Sequence, residues 1–401
     1  MMRSPLLFYC PHAVGIGHLT RSLTLVRALT ARFDVTFVSG GTLPPFIRAG
    51  RAPIVALPPL GLDEQGALVS GDGRRRLGRA LELRRQVLLD TYLSWRPRVV
   101  IVELFPFGRP EFAPELEPML QAARGDSARP LICCSLRDIV LSRANQRDRD
   151  DRAMRLLGRY FDAVLVHGDP EFATLEESLA PGVRLPVPVH YTGFVHRNAG
   201  SGSASRRPPR SSVVVSAGSG LVGEPLLVTA LEAQALVPPE SRRRLTLIAG
   251  PLLPEDAWRR LRRLAADTPC TMMRRMVPDL GHEMRNATGS VSPCGYNTAM
   301  DLVDSGVPAL VVPSGGANEE EQVKRARRLE ALGAVRVLPA ADMTAPRLAE
   351  EIAALASFTP TASRLNLSGA ERTTHLVEAM LESNDAAAGH APMLPPIEQT
   401  A

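Results

Sequence analysis

The sequence predicts an α/β protein of two doubly wound domains, each a buried parallel sheet covered by helices. Three observations carry this expectation. The chain has 401 residues, 45% of them hydrophobic and 22% charged, which suits two globular domains of roughly 150 to 200 residues better than one. Its strand-length apolar runs are continuous instead of alternating, as in strands buried on both faces. A stretch rich in Gly, Ser, Pro and Arg, NAGSGSASRRPPRSS at 198–212, splits the series of runs in two, and such a composition marks a surface loop or linker.

In the first half the runs are LLFYC (6–10), VTFVSG (35–40), PIVALP (53–58), VVIVELF (99–105), LICCS (131–135) and AVLVHG (163–168). Between the first two, Leu19, Leu23, Val26 and Leu29 recur at three- and four-residue steps and give a helix one apolar face. The second half opens with SVVVSAGSG (212–220) and continues through RLTLIAG (244–250), CTMMRRM (270–276), GSVSPCG (289–295), ALVVPSG (309–315) and AVRVLP (334–339). The tail reads as helical to Ser383 and loosely held beyond it. The expected division is a first domain over 1–190, a linker over 191–211, a second domain over 212–375, and a helix end with tail over 376–401. Two such sheets facing each other leave a cleft bordered by strand C-termini, where open α/β sheets bind ligands.

Composition narrows the function classes. Basic residues number 47 against 42 acidic, a formal charge of +5, and Lys324 is the only lysine. The arginines are scattered in short groups such as RRR at 74–76 and aromatic content is 4%, so a nucleic-acid surface, which needs a concentrated basic patch with stacking rings, is not expected. No run approaches the 18 or more apolar residues of a bilayer span, and the opening MMRSPLLFYCPH breaks too early for a signal peptide. The expected location is cytoplasmic, with peripheral contact at the inner face of the plasma membrane left open; the sequence sets no oligomeric state. Five cysteines, two adjacent at Cys133 and Cys134, form no CxxC pair, so no metal site is expected and reduced core thiols are.

The chemistry-bearing residues fall at the ends of the apolar runs. PHAVGIGHLTRSL places Gly15, Gly17 and His18 where the first strand turns into the first helix. A dinucleotide fingerprint would need a third glycine, but Thr20 stands there, and Asp34 precedes the second run rather than ending it. A neutral histidine at a helix start can take a proton from a hydroxyl, or it can simply cap or pack. Glu103, in VELFPFGRPEF, can assist or replace it as base, or serve in a cap or salt bridge. In the second half Gly218 and Ser219 follow a buried strand, where amides and a hydroxyl can cradle a phosphate. In SPCGYNTAMDLVDSGVPALVVPSGG a helix starts near Asn297, so the amides around Gly295, Tyr296, Asn297 and Thr298 form a second anion site. Asp301, one turn in, can accept from ribose hydroxyls or favour the positive helix end. Glu321 and Gln322 offer acceptors and a donor for sugar hydroxyls, while Asn318 with Glu321 also fits a capping box. Arg274 or Arg275 is a further candidate charge for the cleft.

GIGHLTRSL and CGYNTAMDLVDSGVPALVVPSGGANEEEQVKRARRLEALG together resemble the bacterial N-acetylglucosaminyltransferase of peptidoglycan lipid synthesis and the predicted glycosyltransferases related to it, a MurG-like GT-B group. The layout covers about residues 5–375; the close motifs cover only some 50 of them. The resemblance implies a GT-B fold, two Rossmann-like domains facing across a cleft, and inverting, metal-independent sugar transfer from an NDP-sugar, chiefly a UDP-sugar, to a hydroxyl acceptor. It implies no cofactor; the nucleotide sugar is a substrate. Gly15, Gly17 and His18 match its first glycine-rich loop, Gly218 and Ser219 the loop beside the diphosphate, the segment around Met276 and Val277 the one meeting the base, Asp301 the ribose-binding acid, and Glu321 with Gln322 the pair reading the donor sugar. The departures are Asp301 where glutamate is frequent, a Glu-Gln pair with one extra residue after Pro313, and Cys294 where relatives often carry glycine. Two other functions stay open: a nucleotide-sugar hydrolase of the same architecture, and a non-catalytic sugar-nucleotide-binding protein.

Overall fold

The computed structural model describes residues 3–12, 16–44, 49–63, 68–73, 75–140, 145–197, 212–314, 320–362 and 364–387. The first half contains β1 (Ser4–Cys10), α1 (Gly17–Leu29), β2 (Phe33–Ser39), β3 (Ile54–Ala56), β4 (Leu60–Leu62), β5 (Leu68–Ser70), α2 (Leu77–Trp95), β6 (Val99–Glu103), α3 (Ala113–Gly125), β7 (Leu131–Arg137), α4 (Gln146–Tyr160), β8 (Ala163–His167) and β9 (Val189–Tyr191). Seven of these strands form one parallel sheet in the order β3-β2-β1-β6-β7-β8-β9, and β4 with β5 makes a separate antiparallel hairpin. The apolar runs produce it directly: β6 and β8 are buried at every position, and β7 at all but its last residue.

The second half contains β10 (Ser212–Ser216), α5 (Glu224–Leu236), β11 (Arg244–Ile248), α6 (Glu255–Asp267), β12 (Thr271–Arg274), α7 (Leu280–Arg285), β13 (Gly289–Ser292), α8 (Tyr296–Ser305), β14 (Ala309–Val311), α9 (Glu320–Ala331), β15 (Arg336–Val337), α10 (Ala345–Ala354) and α11 (Gly369–Ala387). Six strands form the second parallel sheet, in the order β12-β11-β10-β13-β14-β15. Both sheets therefore reverse strand order once, the first between β1 and β6, the second between β10 and β13. At such a switch point the flanking connections leave on opposite faces and open a crevice beyond the strand ends. Those two crevices carry the site.

Several details differ from the sequence expectation. Strand β9 and the β4–β5 hairpin lack the long apolar runs that mark the other strands, since Pro186 and Pro188 precede β9 and each of the three has only three residues. The second half also does not end on its own sheet. Helix α11 packs on α1, and Ala370, Val377 and Leu381 join the core formed by Leu19, Leu23 and Val26 beneath the first sheet. It continues to Ala387, beyond Ser383. Where the chain returns, it passes the outgoing segment closely: Phe194 N–H donates to Asn366 O at 2.7 Å and Gly369 N–H to Phe194 O at 2.9 Å. A Cβ on Gly369 would lie 2.3 Å from the Gly193 carbonyl oxygen, and Gly193 itself has φ +88°, so glycine is required at both positions.

Candidate active site

A cleft of about 810 Å³ lies between the two switch points. On the first wall, β1 leads into α1, and His18, at the second position of that helix, lines the cleft with its side chain 21% exposed. Glu103 ends β6, the strand beside β1. Its Oε1 lies 2.9 Å from His18 Nδ1, and Arg21, one turn along α1, reaches both, ion-pairing with Glu103 and lying 3.1 Å from His18 Nδ1. Burial pushes the His18 imidazole down to about 4 despite the Glu103 bond. Burial alone would raise the Glu103 carboxyl, but the charge of Arg21 and the hydrogen bonds from His18 and Ser135 outweigh it and hold it at about 2. At neutral pH the pair is a neutral imidazole against a carboxylate. An ionised carboxylate only accepts, so Nδ1 carries the proton and donates to Glu103, leaving the Nε2 lone pair for another partner.

Glu103 is thus behind His18. Its residue exposure is 0% and it does not line the cleft, so the alternative in which it replaces His18 as base is not what the geometry offers. Gly17 lines the cleft next to His18, and its carbonyl accepts a 3.1 Å bond from Asn297 Nδ2 on the opposite wall. Gly15 lies outside the described residues.

The opposite wall is built on α8. Its N-cap is Gly295, no side chain among the described residues caps it, and no acidic residue stands in its first turn. Its orphan amides are therefore available to an anion, with the helix dipole favouring negative charge. Gly295, Tyr296, Asn297 and Thr298 all line the cleft. The Tyr296 ring is engaged elsewhere: its hydroxyl donates to His167 O at 2.9 Å and accepts from Val195 N–H at 2.8 Å. Beside α8 is the loop after β10. Gly218, at φ +64°, has its own N–H directed to Ser216 Oγ at 3.2 Å, and a Cβ there would meet nothing within 4 Å. Its contribution is open space, while Ser219 lies at the cleft surface.

The two ends of the cleft differ in chemistry. At one, Met276, Val277, Pro278 and Leu280 line an apolar flank with Asp301 nearby. Asp301 Oδ1 lies 3.1 Å from His196 Nε2, so a residue on the outgoing interdomain segment orients the acid. At the other, Glu321 Oε2 pairs with Arg137 Nη2 at 2.5 Å and Oε1 with Arg325 Nη2 at 3.0 Å. Burial raises the Glu321 carboxyl, but Arg137 and Arg325 outweigh it, and the net shift is downward. Gln322 Oε1 accepts the Cys294 N–H at 3.1 Å, leaving its amide nitrogen as the group able to donate to a ligand. Asn318, the other half of the expected capping box, lies outside the described residues.

Comparison with known proteins relates the second half to a glycosyltransferase family and the whole chain to a fold. Residues 243–377 match the glycosyltransferase family 28 C-terminal domain. Over 89 residues the chain is 33% identical to the UDP-N-acetylglucosamine--N-acetylmuramyl-(pentapeptide) pyrophosphoryl-undecaprenol N-acetylglucosamine transferase of Alkalilimnicola ehrlichii, covering 22% of this chain and 25% of the relative. It is 33% identical over 124 residues to the same-named protein of Methylobacterium radiotolerans, covering 31% and 33%. The matches thus span only a quarter to a third of these relatives' length. Among solved structures, the MurG of Acinetobacter baumannii superposes with TM-score 0.57 at 15% identity, covering 94% of this chain and all of the other. The calicheamicin glycosyltransferase CalG4 superposes with TM-score 0.57 at 17% identity, covering 99% and 100%. The chain has the GT-B fold of these glycosyltransferase structures.

Within this GT-B cleft, sequence reasoning missed four arginines, Arg21, Arg27, Arg137 and Arg197, and placed charge instead on Arg274 or Arg275. Those two point away: Arg274 pairs with Glu283 at 3.0 Å and Arg275 with Glu255 at 2.7 Å. Arg21 lies inside GIGHLTRSL without standing out there, and only position signals the others: Arg27 lies on the first helix, Arg137 ends a buried run, and Arg197 sits beside the linker.

Proposed function

We propose that the protein transfers a sugar from a nucleoside-diphosphate sugar, with UDP as the first nucleotide to test, to a hydroxyl acceptor, with inversion and without a metal ion. The observation that carries this reading is the opposition, across one cleft, of a neutral imidazole backed by a carboxylate and an uncapped helix N-terminus. His18 Nε2 takes the acceptor hydroxyl proton as that oxygen attacks the anomeric carbon. The bond from that carbon to the diphosphate breaks on the far side, its electron pair leaves on the phosphate oxygen, and the amides at the start of α8 hold the new charge. A single displacement inverts the anomeric centre. In this reading the α8 amides and the cleft arginines stabilise the leaving diphosphate.

The nucleoside fits the Met276–Val277 flank with its ribose at Asp301, and the sugar fits between Glu321, Gln322 and Arg137. The curated relatives are named for a UDP-N-acetylglucosamine donor and a pyrophosphoryl-undecaprenol acceptor, whereas one structural neighbour, the spinosyn rhamnosyltransferase SpnG, was solved once with thymidine diphosphate and once with spinosyn aglycone. The test is therefore a matrix of UDP- and TDP-sugars against lipid-linked and small hydroxyl acceptors, read by mass spectrometry with EDTA present and absent. The expected result is acceptor-dependent product in both conditions. Rapid acceptor-independent sugar release would make the protein a hydrolase, and donor binding with no consumption would make it a binding protein. Among the described residues no helix is long and apolar enough to cross a membrane; in this reading the enzyme works on the cytoplasmic side, where nucleotide sugars are supplied.

A further inference from the structure

Behind His18 the polar contacts do not stop at Glu103. The Glu103 carboxylate accepts on both oxygens, from His18 and Arg21 on Oε1 and from the Ser135 hydroxyl on Oε2 at 2.6 Å. Ser135 stands opposite Glu103 in the β6–β7 register. Its Oγ is 3.0 Å from Nε2 of His167, the last residue of β8, and His167 Nδ1 is 2.9 Å from Oγ1 of Thr192, which follows β9. Glu103, Ser135 and His167 have 0% exposure and Thr192 has 1%. A row of buried polar side chains thus crosses the ends of four neighbouring strands and finishes on the cleft histidine.

Proton counting gives the row one direction. Ser135 has a single hydroxyl proton, and the carboxylate beside it can only accept. Ser135 therefore donates to Glu103 and accepts from His167 Nε2–H. His167 is then neutral with Nδ1 bare, and it accepts from the Thr192 hydroxyl. Burial pushes the His167 imidazole down to about 3, in keeping with that neutral form. With Oε2 occupied by Ser135, Oε1 faces His18 Nδ1–H. From Thr192 to Glu103 every side-chain polar atom of the row is partnered, with no ion beyond Glu103 and the Arg21 beside it. Apolar residues such as Val102, Cys134 and Val166 fill the neighbouring strand positions, so packing alone does not call for a serine and a histidine here, and burying them unpartnered would be costly.

We propose that Ser135 and His167 are positioning residues that fix Glu103 and, through it, hold His18 in the Nδ1–H tautomer with Nε2 toward the cleft. This rests on the reading of His18 as the general base. Neither residue lines the cleft, so neither is expected to touch donor or acceptor.

The test combines kinetics with NMR of protein carrying ¹⁵N-labelled histidine. Ser135→Ala and His167→Ala should each lower kcat roughly 10- to 100-fold, the range for a lost hydrogen bond to a charged group, with donor KM unchanged. Their His18 nitrogen shifts should move from a single Nδ1–H tautomer toward a mixture. His167→Gln, whose side-chain amide can stand in for Nε2–H, should recover both signals. Thr192→Val, nearly isosteric, is the milder variant if an alanine variant does not fold, and should move the His18 shifts in the same direction. Parental kcat and an unchanged His18 tautomer in the folded variants would overturn the proposal. If the parent protein moves no sugar at all, the transfer reading falls, and the tautomer spectra decide the positioning role on their own: a mixture in Ser135→Ala supports it and a single tautomer refutes it.

Discussion

A histidine tied at Nδ1 to a buried carboxylate differs from a free imidazole in having only one nitrogen to offer, and here that nitrogen faces the cleft. His18→Ala should therefore lower the chemical step by about 100- to 10,000-fold, while calorimetry finds donor affinity near the parental value. A histidine that merely packs predicts a lower melting temperature with activity retained. At the other end of the cleft, Asp301 is oriented by His196 rather than left to solvent. Asp301→Ala should weaken donor binding by about 1.5 to 3 kcal/mol, the cost of a hydrogen bond to a charged acceptor. Unchanged affinity in a folded Asp301→Ala protein would remove the ribose from that position.

In the proposed reaction helix α8 holds the donor through its end rather than its side chains, so the element can be tested by giving it a cap. A Cβ on Gly295 would meet nothing within 4 Å, and the residue sits at φ −66°, which any side chain accepts. Gly295→Asp should place a carboxylate on the orphan amides and stabilise the helix by about 1 kcal/mol. The same carboxylate competes with a diphosphate, so donor affinity should fall by at least about tenfold; a stabilised protein that binds the donor as before would show that the anion sits elsewhere. This helix was legible from sequence because a buried strand, a glycine and Gly306 with Pro308 bracket it. The β10 loop, Gly17 with His18 and Glu321–Gln322 were legible for the same reason, since all follow apolar runs. What was not legible depends on contacts distant in the chain. Glu103 reads equally well as base, cap or ion pair until β6 is known to lie beside β1. Arg137 becomes a cleft residue only because Glu321, 184 positions later, faces it. The packing of α11 on the first sheet has no local signal either, because an amphipathic helix does not specify which sheet it covers.

At the scale of the whole molecule, the halves are joined by buried polar contacts. Arg325 on α9 and Asp138 after β7 are both fully buried and paired at 2.7 Å, and Arg325 also donates to Cys294 O at 2.9 Å. Replacing Arg325 by Met would strand the Asp138 carboxylate, so urea unfolding should show a loss of about 3 to 5 kcal/mol, with Asp138→Asn in the same background recovering part of it. Buried histidines set a second whole-molecule property. His12 and His18 are pushed down to about 4 and His167 to about 3, in each case chiefly by burial. In the unfolded chain all three return to an ordinary value near 6.5. Between pH 6.5 and about 4 the unfolded state therefore binds protons that the native state refuses, and stability falls as the pH falls. Each histidine contributes up to about 1.4 kcal/mol per pH unit, so three acting together give a slope of about 4. Glu103, held at about 2, adds a loss of the same sign below its unfolded value near 4.5. Thermal melts at pH 7.5, 6.5, 5.5 and 4.5 should be nearly level across the first step and drop with increasing steepness afterwards. His12, hydrogen-bonded to Ser39 at 2.8 Å and making no hydrogen bond to the proposed base among the described contacts, offers the control: His12→Asn should make the slope shallower by about one histidine's share. A melting temperature that stays level down to pH 4.5 would mean that these imidazoles are charged or solvated in the native protein, and with them would go the neutral base at the start of α1.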